Sequence, residues 1–228
     1  MILAQPSSWP DPYEQLLWRT KFIQRTPDVK QAMLAPYLPV VYAQCWSAAE
    51  YSETLLRAYS RVVQHPLLSR NQVPGDEAVA VASTPRKLLE CLQVWAPPED
   101  KDCCFIGRVR YFNDTEVREQ IGITLGQRMP EGTISGRQMA ELILLKRSAF
   151  RHEDEIRLIY IKKSDVSPPR FMSLEINPNT IFKSVIFDPR LVEFERKERE
   201  SIIRALGYDG SVDIFKLYVA TALTIMIN

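Results

Sequence analysis

The chain has 228 residues, 46% hydrophobic and 25% charged, which is enough apolar material for a packed core and excludes a disordered tail. Its net charge of +1 gives no overall attraction for nucleic acid or anionic lipid, so nucleic-acid binding is possible but not indicated. The longest apolar run, residues 218–227, is roughly half of a membrane span, and residues 1–6 carry no secretory signal, which points to the cytoplasm without membrane contact.

Asp11-Pro12 opens the first predicted helix, over residues 12–25, with Glu14 placed to complete a capping box. Residues 40–46 read as a strand. Ser47 then caps a helix over residues 48–62, with Glu50 three residues on. Residues 77–83 alternate Val and Ala as a strand does. Thr84-Pro85 opens a helix over residues 85–94. A strand follows over residues 105–112, and then a helix over residues 137–150 with Met139, Leu142, Ile143 and Leu145 inside. Residues 155–162, 171–176 and 181–187 read as strands. Asp188-Pro189 opens a helix over residues 189–206, and residues 214–219 read as the last strand. Residues 69–76, 96–101 and 122–136 read as surface loops. The expected fold is α+β: a single domain over residues 1–228, with a mixed, mainly antiparallel sheet and flanking helices.

Chemistry concentrates in residues 146–163, read as a helix feeding a strand. An extended chain puts Glu153, Glu155 and Arg157 on one face, and Ile156, Leu158 and Tyr160 on the other. Two carboxylates and a guanidinium in a row are costly to bury unless they pair or bind something. Such a row could supply a general base and an anion-binding Arg. The plainer reading is a set of cross-strand ion pairs, with Arg108 and Arg110 meeting Glu153 and Glu155. Ser47, between a strand end and a helix start, could hold an anionic or hydroxylated group, although capping explains it as well.

Other chemistries lack their markers. There is no GxSxG, no P-loop and no GxGxxG, and only eight glycines occur. His65 and His152 are the two histidines, and the four cysteines form no CxxC pair, so no metal site is expected. The cysteines read as reduced, mostly buried thiols of a cytosolic protein. Glu155-x-Arg157 makes a poor nuclease metal cage, because Arg repels the cation.

Five segments taken in order resemble a known family. Trp9-Pro10-Asp11-Pro12-Tyr13-Glu14 resembles a W-N-D-P-Y/F-E box. Cys45-Trp46-Ser47 with Ser52-Glu53 and Tyr59 resembles a second motif. Residues 77–84 and Val109-Arg110-Tyr111 resemble two strand motifs. Residues 146–157 are similar to K-R-x-x-F-x-H-E-x-E-x-R. These are the landmarks of the bacterial domain-of-unknown-function family 2971. The chain departs from the pattern at Pro10, at Leu55-Leu56 and in starting almost at the first box, so that the family's opening strand is expected to be absent.

The resemblance implies an ADP-ribosyltransferase-like, NAD-using effector of bacterial defence or of toxin–antitoxin type. It makes Glu155, Glu153 and Ser47 the catalytic candidates. It makes Arg157, Arg147, Trp46 and Tyr59 the candidates for holding NAD. The alternative is a non-enzymatic binding or regulatory subunit of a multi-protein defence complex. A protein partner or a homo-oligomer is expected, given the apolar end at residues 218–227 and the expected missing strand.

Overall fold

The computed structural model describes residues 1–24, 30–50, 52–126, 134–162, 167–215 and 217. In chain order the elements are β1 (Ile2–Ala4), α1 (Leu16–Arg19), β2 (Lys21–Gln24), β3 (Lys30–Met33), β4 (Val40–Ser47), α2 (Glu53–Tyr59), β5 (Val79–Ala82), α3 (Pro85–Trp95), β6 (Cys104–Arg108), β7 (Arg110–Phe112), α4 (Asp114–Gly126), α5 (Gly136–Ile143), β8 (Leu145–Arg147), β9 (Glu155–Lys162), β10 (Phe171–Ser173), α6 (Pro178–Ile181), β11 (Ser184–Phe187), α7 (Glu193–Ala205) and β12 (Ser211–Ile214). The fold is α+β with mainly antiparallel pairing, as expected. Two parallel pairs, β7 with β8 and β11 with β12, make it mixed.

The chain divides into two compact units. One comprises Met1–Ala48 with Pro85–Ile176, and the other Ala49–Thr84 with Asn177–Asn228. The first holds a five-stranded antiparallel sheet in the order β10-β1-β4-β9-β6. Its axis is the full-length pairing of β4 with β9, from Val40 opposite Lys162 to Ser47 opposite Glu155. β9 carries Leu158, Ile159, Tyr160 and Ile161, an aliphatic and aromatic run that packs on both faces of a pleated surface. All four are buried. On one face, Trp95 at the end of α3 meets Tyr160 edge-on, and the Tyr160 hydroxyl donates to Asp100 at 2.7 Å. On the other face, Gly136 at the start of α5 sits against Ile161 and Phe105. Ser135 caps α5 in a reciprocal box with Gln138.

The second unit holds a three-stranded sheet, β12-β11-β5. It is held by buried polar pairs: Asp188 accepts from Ser60 at 2.6 Å and from Arg190, and Glu195 accepts from the Asn71 backbone at 2.8 Å. Among the described residues, no helix is long and apolar enough to cross a membrane. The apolar run 218–227 lies outside the described residues.

Several expected elements change. The helix expected over residues 12–25 is a single turn, α1, followed by β2. Glu14 does not cap; Asp11 alone accepts from the Tyr13 N–H at 3.0 Å. The second helix starts at Glu53 and is capped by Ser52, not Ser47. The helix expected over residues 137–150 stops at Ile143; a strand and a 3-10 turn (Ser148–Glu153) follow. Asp188 does not open α7, whose N-cap is Val192. The strand expected over residues 105–112 breaks at Val109 into β6 and β7. Among the described residues the last strand is Ser211–Ile214; of the expected strand 214–219, residues 216, 218 and 219 lie outside the described residues. Ile2–Ala4, ahead of the first box, forms a short strand between β10 and β4. The cysteines are free, with Cys103 and Cys104 buried and Cys45 exposed.

Candidate functional site

The break at Val109 builds the site. Val109 N–H donates to the Glu155 carbonyl, and Arg110 N–H to the Leu144 carbonyl, both at 2.8 Å. The chain thereby leaves the large sheet and joins β8, with Tyr111 opposite Lys146. Lys146 is thus presented over the start of β9. The 3-10 turn carries the chain from β8 to Glu153. Asp154 then reverses it in the left-handed region, φ 43°, which Asp tolerates better than most residues. Tyr111 closes the corner: its hydroxyl accepts from the Glu155 N–H at 2.8 Å.

On this corner sits a buried charge cluster. Lys146 Nζ donates to Glu153 Oε2 at 2.6 Å and to Glu155 Oε2 at 2.9 Å. Arg157 Nε donates to Glu155 Oε1 at 2.7 Å and Nη2 to Oε2 at 3.1 Å. Arg157 Nη1 donates to the Ile143 carbonyl at the end of α5. Nη2 also donates to Glu14, which comes from the segment before α1. The Trp9 ring lies 4.6 Å from the Arg157 guanidinium carbon, a cation–π arrangement. Arg157 is 1% exposed and Glu155 3%. The Glu153 side chain is 23% exposed and is the most open carboxylate of the three.

The environments separate these carboxylates. Burial works to raise the Glu155 pKa, but the hydrogen bonds and charge of Arg157, with Lys146, hold it below the ordinary range. For Glu14, burial outweighs Arg157 and Lys146, and Glu155 adds to it, so its pKa is raised. Burial opposes the Lys146 charge, yet Glu153, Glu155 and Glu14 together hold the ammonium above its ordinary value.

A second cation stands beside the cluster. Arg147 donates from Nη2 to Asp11 at 3.0 Å, and its guanidinium lies 4.0 Å from the Tyr13 ring centre and 5.3 Å from that of Phe150. Arg147 Nε and Asp11 Oδ2 are buried without a partner. They leave one donor and one acceptor that a ligand hydroxyl or carboxamide can satisfy.

Glu153, Glu155, Arg157 and Arg147 are brought together. Ser47 stands exposed at the rim, where its hydroxyl donates to the Glu153 carbonyl at 2.6 Å. Trp46 alternates to the opposite side of β4 from Cys45 and Ser47, opposite Ile156, and donates to Gln44 at 3.1 Å. It therefore faces away from Glu155. Tyr59 belongs to the other unit, exposed on α2. Ion pairs do form, but not the expected ones: Arg108 binds Asp154 at 2.6 Å, and Arg110 has left the sheet. Glu153 precedes β9 and reaches Glu155 through Lys146 instead of through the pleat.

Trp9, Tyr13 and Glu14 over the site, and Lys146 between the carboxylates, are the members that residue patterns missed. Their signal was the ordered set of motifs. Residues from segments 9–14, 45–47, 109–111 and 146–157 meet here, while residues 79–82 lie in the other unit.

No family model, curated protein or solved structure matches this chain.

Among the described residues, no group of His, Cys, Asp and Glu is placed to hold a metal ion. The chemistry of the site is that of carboxylates and organic cations. It can stabilise developing positive charge, hold or accept a proton and bind an oxyanion.

Proposed function

We propose that this chain is a cytoplasmic effector of bacterial defence or toxin type, related to the domain-of-unknown-function family 2971. Its site cleaves the N-glycosidic bond of NAD, as ADP-ribosyltransferases and NAD hydrolases do. The observation that carries the proposal is Lys146 held between Glu153 and Glu155, with Arg157 fixing Glu155 from behind. One carboxylate is open enough to meet substrate, and its neighbour is kept ionised. Cleavage of that bond develops positive charge on the ribose, which paired carboxylates stabilise.

In this reading the ribose–nicotinamide bond breaks, nicotinamide leaves with the bonding pair, and water or another acceptor attacks the ribose. Glu153 takes the acceptor's proton. Glu155 supplies fixed negative charge. Ser47 anchors the Glu153 backbone, and Arg147 meets phosphate. Wild-type protein should consume NAD, and Glu153→Gln should lose that consumption without losing its thermal transition. Absence of NAD consumption by the folded wild type overturns the proposal.

A second reading has its own support. All three Arg157 nitrogens are engaged, and Glu155 is buried, as expected of a structural ion cluster. The chain would then be a binding or regulatory subunit of a defence complex, paired with a protein partner or with itself. Light scattering across a concentration series separates the two readings: a persistent monomer that consumes NAD removes the second.

A further inference from the structure

Residues 6–19 cross the cluster as a strap. Their backbone bonds are local: Trp9 N–H to Pro6, Glu14 N–H to Asp11, Leu16 N–H to Tyr13. The nearest backbone ties to other segments lie at the two ends, Gln5 N–H to Arg170 at 3.1 Å and the Thr20 carbonyl from Leu34 N–H at 2.9 Å. Over the site, the strap is held by side chains: Trp9 and Glu14 on Arg157, and Asp11 and Tyr13 on Arg147, with the Tyr13 hydroxyl donating to Asp114 at 2.7 Å and Arg170 donating to the Ser8 carbonyl at 3.4 Å outside the cluster.

We propose that Glu14 is an internal occupant of an anion site formed by Arg157 and Lys146, and that a ligand's singly charged oxyanion binds there by displacing it.

Charge defines the class of ligand. Glu14, Glu153 and Glu155 face Lys146 and Arg157, three carboxylates against two cations. Glu153 and Glu155 arrive on the same stretch of chain as their cations and balance them. Glu14 arrives from the strap and is the surplus charge. Its carboxylate reaches both cations, Arg157 by hydrogen bond and Lys146 at 3.7 Å. A singly charged oxyanion replaces it like for like. A dianion would add repulsion from Glu153 and Glu155.

Guanidinium and ammonium groups converging on one oxygen are how proteins bind phosphodiester and carboxylate oxygens. Glu14 is also the least well accommodated member, since burial outweighs its partners. Its departure takes Trp9 off the face of Arg157 and opens a cation on which a planar ligand can stack. This inference does not require NAD chemistry; it requires only that the two cations accept an external anion.

The test uses the full chain and dimethyl phosphate, a singly charged phosphodiester, with acetate as the carboxylate probe. Wild type and Glu14→Ala are titrated by NMR, and backbone hydrogen exchange of residues 9–16 is followed in parallel. Glu14→Ala should bind dimethyl phosphate at least ~10-fold more tightly than wild type, a factor equivalent to about 1.4 kcal/mol. Saturating probe should speed exchange in the wild-type strap. Glu14→Gln, which keeps the volume, takes the place of Glu14→Ala if the latter does not fold. Equal affinities, no binding to either protein, or unchanged strap exchange at saturation each overturn the inference. Anion binding without NAD consumption keeps this inference and discards the enzymatic reading.

Discussion

Arg157 stands two residues beyond Glu155 on β9 and turns back to it, Nε to Oε1 at 2.7 Å and Nη2 to Oε2 at 3.1 Å. Positions i and i+2 of a strand share a face, so the pleat itself sets this side-by-side pair. The guanidinium then has Nη1 for the end of α5 and the rest of Nη2 for the strap. One side chain thus joins three segments of chain.

Removing that side chain should be expensive. Arg157→Met leaves Glu155 buried and without its closest cation, at a cost of roughly 3–5 kcal/mol in denaturant unfolding. Arg108→Ala, whose bidentate pair with Asp154 lies in solvent, should leave the unfolding midpoint unchanged. Equal losses in the two variants would contradict the assignment of Arg157 as the buried keystone.

Gly107 lies opposite Arg157 on β6, and a Cβ there would stand 2.4 Å from Leu144 Cδ1. Gly107→Ala should destabilise by about 1–3 kcal/mol through overpacking. Leu144→Ala in the same chain should recover much of that loss. A strictly additive double-mutant cycle would show that the clash is relieved elsewhere.

Glu14 and Glu155 respond to pH in opposite senses. Glu155 has its pKa lowered, so its stabilisation is present above the ordinary value and is lost as pH falls through the lowered one. Glu14 has its pKa raised, so its contribution is complete below the ordinary value and is lost as pH rises through the raised one. Glu14→Gln stays uncharged throughout. Its stability relative to wild type should therefore be greater at neutral pH than near the ordinary Glu pKa of about 4.3. Urea unfolding across that range checks the sign, and an advantage that grows on acidification refutes it.

Asp154 sits at φ 43° and ψ 56°. Asp154→Gly should be tolerated in this left-handed conformation, whereas Asp154→Val should cost about 1–2 kcal/mol and loosen the Glu153–Glu155 turn. The thermal transitions of the two variants, compared directly, decide it. If Val is tolerated as well as Gly, the reversal is not fixed by the backbone.

What the sequence made legible follows a physical line. β9 is read at its observed bounds, and β4 and α3 to within one residue, because each is long, periodic and clearly bounded. β1 and β8 span three residues each, and what makes them strands is a partner far along the chain; β2 and β3 span four each and pair with one another, too short for alternation to mark them. α4 was read partly as loop because Gly122 and Gly126 lie in its last turns, where helices tolerate them at modest cost.

The site divides the same way. Alternation correctly put Glu155 and Arg157 together. Glu14 looked like a local cap because it stands three residues after Asp11, yet its partner Arg157 lies 143 residues downstream. Arg108 and Arg110 were expected over the carboxylates. The left-handed Asp154 took the first, and the break at Val109 removed the second. Trp46 was placed by its neighbours in the motif, and strand parity turns it to the other side.

The corner at Val109 has a mechanical consequence. Lys146 and Glu155 hang from strands that are stitched by main-chain bonds to one continuous segment, β8 to β7 and β9 to β6, on either side of that residue, so floor and wall form one bracket. In the proposed displacement of Glu14 the cations stay on that bracket, and the strap carries the movement.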